Sequence, residues 1–281
     1  MRRGGSLIVA IIMAVIGAIS YYSSRSTNEV TGEVQHVSLT PDQEVALGLQ
    51  AFPEMAQQFG GEIDHPVVSG YVEEIGQRLV RNSDARKGNY QYDFHVLADP
   101  QTINAFALPG GQVSITLGLL RRLNNEAELA GVLGHEIGHV VGRHGAEQLS
   151  KQRFAQTLVG AATIAAYDPD RPGSSAQNAA IAAAIGQLVT MRFGRQDELE
   201  SDALGVQLMS QAGYDPRGMA ELLEILARSS EGGRPPEFFS THPNPENRLA
   251  RVEEMIRTSG GAGGDVGADR FQQNVLRFLR Q

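Results

Sequence analysis

The pentapeptide His135-Glu136-Ile137-Gly138-His139 constrains this chain more than any other feature. Two histidines four residues apart share one face of an α-helix, so both imidazoles can reach a single metal ion. Glu136 sits one residue round. That is too close for a comfortable third ligand, but well placed to take a proton from an attacking water. In a chain of 281 residues with 7 histidines, the pattern arises by chance about 0.01 times. Leu129, Val132, Leu133, Ile137 and Val140 recur around it at helical spacing, and Asn124-Asn125-Glu126 reads as the helix start. Gly134 and Gly138 each cost such a helix roughly 1 kcal/mol relative to Ala, which points to close packing against a neighbouring element.

A third ligand has to come from elsewhere. In a three-histidine zinc pattern the last histidine would stand where Gly145 is, and His144 falls one short. His144 reads instead as a helix-end residue bonding the last carbonyls. Downstream, Asp197-Glu198-Leu199-Glu200-Ser201-Asp202 lies early in a predicted helix. Glu198 and Asp202 are four apart and share a face, so one could bind metal while the other holds a supporting group. Glu200 lies about 200° round from Glu198 and would point away. Spacing alone does not choose between the Glu198/Asp202 face and Glu200. A solvated acidic helix start, favoured by the helix dipole, also accounts for the hexapeptide in isolation.

The bulk properties narrow the classes. At 41% hydrophobic residues the chain can build one sizeable core. A net charge of −8, with no Lys/Arg run longer than a pair, argues against a nucleic-acid partner. Cysteine is absent, which removes cysteine proteases, Cys-ligated zinc and a lipoprotein anchor. Arg2 and Arg3 precede an uncharged run from Gly4 to Ser24 with an apolar core from Leu7 to Ile19, closed by Arg25. About 20 helical residues span a bilayer, so residues 1–25 are expected to anchor the chain in a membrane, with the catalytic part outside the cytoplasm. The competing reading is a signal peptide cleaved near Ala18-Ile19-Ser20, which would release the chain to the periplasm.

Along the rest of the chain, residues 26–39 read as an irregular linker. Thr40-Pro41-Asp42-Gln43 opens a helix through a capping box. A second helix is expected over 66–81, and alternation from Tyr90 to Ala98 predicts a strand. The runs 104–108 and 112–117 around Pro109-Gly110-Gly111 form a hairpin signal. Two Ala-rich helices, 151–166 and 175–193, flank a turn at 168–173 and read as a soluble helical pair. Further helices are expected near 196–212, 216–229 and 245–257. A Gly-rich linker over 259–267 leads to a short C-terminal helix at 268–281, whose face Phe271, Val275, Phe278 and Leu279 has to dock on the body.

Together these residues resemble metallopeptidase family forty-eight, which includes the CAAX prenyl proteases, the heat-shock protease HtpX and the mitochondrial Oma-type proteases. Its hallmark is His-Glu-x-x-His followed some tens of residues later by Glu-x-x-x-Asp, here His135, Glu136 and His139, then Glu198 and Asp202. The resemblance implies a mainly α-helical α+β fold of gluzincin type over residues 40–258, with a small β-sheet beside the zinc helix. It implies one zinc per chain held by His135, His139 and Glu198, with Asp202 in support. Asn104, Ala105, Phe106 and Ala107 are similar to the strand that pairs with an extended substrate. Thr241-His242-Pro243 and Arg248 resemble the flanking loop and helix. They imply an inhibitory fourth ligand in His242 and an oxyanion helper in Arg248. A loop histidine with no metal contact is the plain alternative for His242. The implied function is a zinc endopeptidase acting on misfolded or membrane-associated polypeptides outside the cytoplasm. A chaperone-like polypeptide-binding protein with gated hydrolysis, and a hydrolase of small amides, are the alternatives.

Overall fold

The computed structural model describes residues 3–88, 90–165, 192–230, 235–243, 247–259 and 263–279. The turn expected at 168–173 and all but the end of the helix expected at 175–193 lie outside these residues. The chain opens with α1 (Arg3–Ser23) and an antiparallel ladder of β1 (Arg25–Thr27) and β2 (Val34–His36). Two helices, α2 (Pro41–Gln58) and α3 (Pro66–Arg81), lead into β3 (Asp93–Leu97), β4 (Ala105–Leu108) and β5 (Gln112–Thr116). The short α4 (Leu117–Leu120) turns the chain into α5 (Glu126–Val141), and α6 (His144–Ala165) follows after a sharp bend. Then come α7 (Arg195–Gln211), α8 (Arg217–Ser229), the one-turn α9 (Phe238–Thr241) and α10 (Arg248–Thr258). The chain closes with α11 (Ala268–Phe271), a π-turn at Gln272–Leu276 and a last turn at Arg277–Leu279.

Local chemistry explains where the key helices begin. Thr40 accepts from the Gln43 amide while the Gln43 side chain accepts from the Thr40 amide, and Pro41 occupies the first turn of α2. Asn125 caps α5 by accepting from the Glu128 amide at 2.8 Å. Every residue of α5 is buried, so this helix runs through the centre of the body. Its glycines let two helices approach its backbone. A Cβ on Gly131 would lie 3.2 Å from the Gly218 carbonyl oxygen, and one on Gly134 would lie 3.4 Å from Gly205 Cα. Leu129, Leu133 and Ile137 fill the other faces, each contributing about 1.5–3 kcal/mol by leaving water.

The three-stranded sheet has the order β3-β5-β4. The β4–β5 hairpin forms around Pro109-Gly110-Gly111 in the register Leu108 opposite Gln112 and Ala105 opposite Ile115. Gly110 and Gly111 take φ of 86° and 109°, a region that side chains rarely enter. β3 instead pairs with β5 in parallel, and β4 is left at the sheet edge.

Three segments differ from their sequence reading. Residues 26–39 contain the β1–β2 ladder, because buried Asn28 and Gln35 donate to the Val141 and Gly142 carbonyls left open at the end of α5. The described part of the Gly-rich segment over 263–267 is strapped down by Asp265 N–H to the Gly213 carbonyl at 2.9 Å and Ala127 N–H to the Val266 carbonyl at 3.1 Å. Beyond it, Phe271 and Val275 are fully buried. At the N-terminus, α1 forms, but among the described residues no helix is long and apolar enough to cross a membrane. Leu7, Ile8, Ile12, Ile16 and Ile19 are exposed. The last turns of α1 instead pack on α6, where Gly17 meets Thr157 and Tyr21 stacks on Phe154 at 4.8 Å.

Candidate metal centre

α5 projects His135 and His139 from successive turns, and α7 brings Glu198 to face them. His135 Nε2 lies 3.1 Å from His139 Nε2 and 3.5 Å from Glu198 Oε2, and His139 Nε2 lies 3.4 Å from Glu198 Oε1. His242, at the C-terminal end of α9, adds Nδ1 at 3.0 Å from Glu198 Oε1 and 3.4 Å from His135 Nε2. Donors placed 2.0–2.1 Å from a common centre at the corners of a tetrahedron stand roughly 3.3 Å apart. The five pairs measured above fall between 3.0 and 3.5 Å, close to that spacing, and one donor atom from each of the four buried side chains lies within 4.8 Å of the others; imidazole with carboxylate is a donor set that suits zinc. These residues could therefore hold a metal ion.

Glu136 is fully buried beside them, with its Oε1 3.6 Å from His242 Nε2. Neither carboxylate oxygen has a hydrogen-bond partner among the described residues. Burial pushes its pKa above the usual carboxylate value. Glu198 goes the other way: burial opposes ionisation, but the imidazoles of His242, His135 and His139 outweigh it and hold the carboxyl well below its ordinary range.

The remote ring nitrogens are also engaged. His135 Nδ1 is 3.0 Å from Asp202 Oδ1. Arg248 donates from Nε and Nη2 to the two Asp202 oxygens at 2.6 and 2.8 Å, and its Nη1 lies 3.1 Å from Glu198 Oε2. The guanidinium is buried and spans both carboxylates. On the other side, His139 Nδ1 is 2.9 Å from His144 Nδ1, and His144 Nε2 is 3.3 Å from Glu200 Oε2. His144 is thus not a cap for the end of α5; its ring folds back beneath His139. Helical spacing turned Glu200 away from Glu198 without giving it a partner, and Phe193 carried no signal of its own. The signal available was Gly142: a Cβ there would lie 2.4 Å from His144 Nε2.

The expected substrate strand lies beside the centre. Ala105, Phe106 and Ala107 belong to β4, and Asn104 precedes it. A groove of about 110 Å³ runs between this edge and His242, lined by Met55, Phe59, Phe106 and Phe193. Phe193 stacks on His139 at 3.9 Å and donates its N–H to the Thr241 carbonyl at 3.0 Å. His242 in turn stacks on Phe238 at 4.3 Å.

Comparison with known proteins agrees with this geometry. The chain is 34% identical over 194 residues to the beta-barrel assembly-enhancing protease of Escherichia coli, covering 67% of this chain and 39% of that protein. It therefore spans about two fifths of the length of this relative. It is 31% identical over 244 residues to the mitochondrial metalloendopeptidase OMA1 of Schizosaccharomyces pombe, covering 85% of this chain and 69% of the other. The model of peptidase family M48 matches residues 66–256, which takes in α3 through α10, both histidines of α5 and the acidic face of α7. The chain belongs to peptidase family M48.

Proposed function

We propose that this chain is a zinc-dependent endopeptidase that hydrolyses peptide bonds in polypeptides, with one zinc per chain held by His135, His139 and Glu198. The observation that carries this reading is the clustering of four buried donor side chains beside a buried glutamate whose carboxylate makes no hydrogen bond. When bound, zinc supplies Lewis acidity, bringing the pKa of water toward about 7 and stabilising charge on the scissile carbonyl oxygen. Glu136 takes the proton of the attacking water and delivers it to the leaving amine. Asp202 accepts from His135 Nδ1–H and so turns the Nε2 lone pair toward the metal. Arg248 holds the Asp202 and Glu198 carboxylates, and its Nη1, which lies 3.1 Å from Glu198 Oε2 without a hydrogen bond, is the atom that would serve a developing oxyanion. The open edge of β4 takes an extended substrate by strand addition, with apolar side chains lodging in the adjacent groove. His242 occupies a fourth ligand position and gates the site.

The substrates are misfolded or membrane-associated polypeptides outside the cytoplasm, with α1 holding the enzyme to a membrane through its exposed apolar side chains. Supporting this are those side chains and the names of the relatives, one of which is a mitochondrial protein. Recovery of the full chain in the soluble fraction after mild lysis would overturn the membrane part. The test of the chemistry uses the full chain, because removing α1 would uncover Phe154 and Thr157 on α6. Zinc content and casein cleavage are measured with and without chelator, alongside Glu136→Gln. That variant should keep zinc and fold while losing cleavage; retained cleavage sinks the assignment.

A further inference from the structure

The bend between α5 and α6 is built with more care than a helix junction requires. Arg143 takes a left-handed φ of 57°, uncommon for a residue with a side chain. It is held there by bonds from its guanidinium to Glu44 on α2 and to the Leu39 carbonyl at 2.9 Å. Gly142 before it leaves room that a Cβ would fill, 2.4 Å from the His144 ring. The result brings His144 back under His139, Nδ1 to Nδ1 at 2.9 Å, with Ser201 Oγ also 3.3 Å from His144 Nδ1. The opposite ring nitrogen, Nε2, faces Glu200 Oε2 at 3.3 Å.

Two imidazole nitrogens at hydrogen-bond distance need one donor and one acceptor. If His139 Nε2 is to present a lone pair to a metal, a neutral His139 carries its proton on Nδ1 and donates it to His144 Nδ1. His144 then carries its own proton on Nε2, the atom that faces a carboxylate. Every tautomer in the chain is set, and each bond points the same way. We propose that His144 and Glu200 are positioning residues that fix the tautomer and ring orientation of His139 as a metal ligand, as Asp202 does directly for His135. The acidic hexapeptide on α7 thereby serves both histidines: Asp202 supports one, Glu200 supports the other through His144, and Glu198 faces the metal position between them.

This inference rests on His139 being a metal ligand, and the experiment separates the two. Zinc dissociation constants of the full chain are measured by competition with a chromogenic chelator, and the visible spectrum of the cobalt-loaded protein is recorded. The variants are His144→Phe, His144→Asn, Glu200→Leu and His139→Ala. Loss of an outer partner of a metal-bound histidine weakens binding by on the order of 10–100-fold. His144→Phe should show that loss with a changed cobalt spectrum, and His144→Asn, which keeps an acceptor, should recover most of it. Glu200→Leu should weaken binding several-fold, and it carries the test if His144→Phe fails to fold, since Glu200 is partly exposed. Unaltered zinc affinity in His144→Phe and Glu200→Leu, with loss in His139→Ala, overturns the relay and leaves the metal site standing. Equal loss in the Phe and Asn variants also overturns it, because ring packing would then be the role. Full affinity in His139→Ala defeats the metal-site reading itself.

Discussion

Gly138 and Ser201 meet backbone to backbone, so that a Cβ on Gly138 would lie 2.9 Å from the Ser201 carbonyl oxygen and 3.0 Å from Ser201 Cα. Neither partner atom is the end of a flexible side chain. Gly138→Ala therefore pushes α5 away from α7, against a helix-propensity gain of about 1 kcal/mol. A net cost of about 1–3 kcal/mol is expected from such overpacking. Zinc affinity should fall as well, because Glu198 moves with Ser201 while His135 and His139 stay on α5. Gly160 on α6 has nothing within 4 Å of its would-be Cβ. Gly160→Ala should be neutral or stabilising by up to about 1 kcal/mol. Thermal unfolding and a metal titration of both variants check the pair.

His242 touches Glu198, His135 and Glu136 at once. If it keeps the site closed in about 90% of molecules, His242→Ala raises the initial rate on an unfolded protein substrate by on the order of tenfold. An unchanged or lower rate shows that the histidine does not gate.

A pH experiment addresses the turn between β3 and β4. Asp99 accepts from the Thr102 hydroxyl at 2.5 Å and from the amides of Thr102 and Gln101 at 3.0 and 2.8 Å. Led by the hydroxyl bond, these contacts hold its pKa below 3.8. A carboxyl whose pKa is depressed by folding contributes stability above its unfolded value and loses it as pH falls through the folded one. Asp99→Asn should cost about 1 kcal/mol near neutral pH. The gap from wild type should close as pH falls through 3.8 and below. Denaturant unfolding at neutral and acidic pH reads this directly, and a gap of constant size counts against it.

The features legible in the sequence were those written in one short stretch of chain. The capping box of Thr40 and Gln43 and the hairpin at Pro109-Gly110-Gly111 are fixed by neighbours a few residues apart, and both are present. The close packing read from Gly134 and Gly138 is also there, although the partner helix was not readable. What escaped is what tertiary folding brings together. The parallel pairing of β3 with β5 leaves no mark in the alternation of either strand. Asn28 and Gln35 look like linker residues until the open carbonyls of α5 arrive beside them. His144 looks like a cap because nothing in its neighbours announces a left-handed Arg143. That conformation depends on Glu44, 99 residues earlier.

The cleft draws on helices far apart along the chain, and this has a consequence for biosynthesis. Arg248 stands 113 residues after the His135 ring it lies beside. At roughly 5–20 residues per second, a ribosome takes about 6 to 23 s to cover that interval. During that interval the emerging chain carries the pentapeptide of α5, and later Glu198 and Asp202, without the guanidinium that lies against both carboxylates. The charge balance around His135, Glu198 and Asp202 is therefore completed late in synthesis, only once α10 has been made.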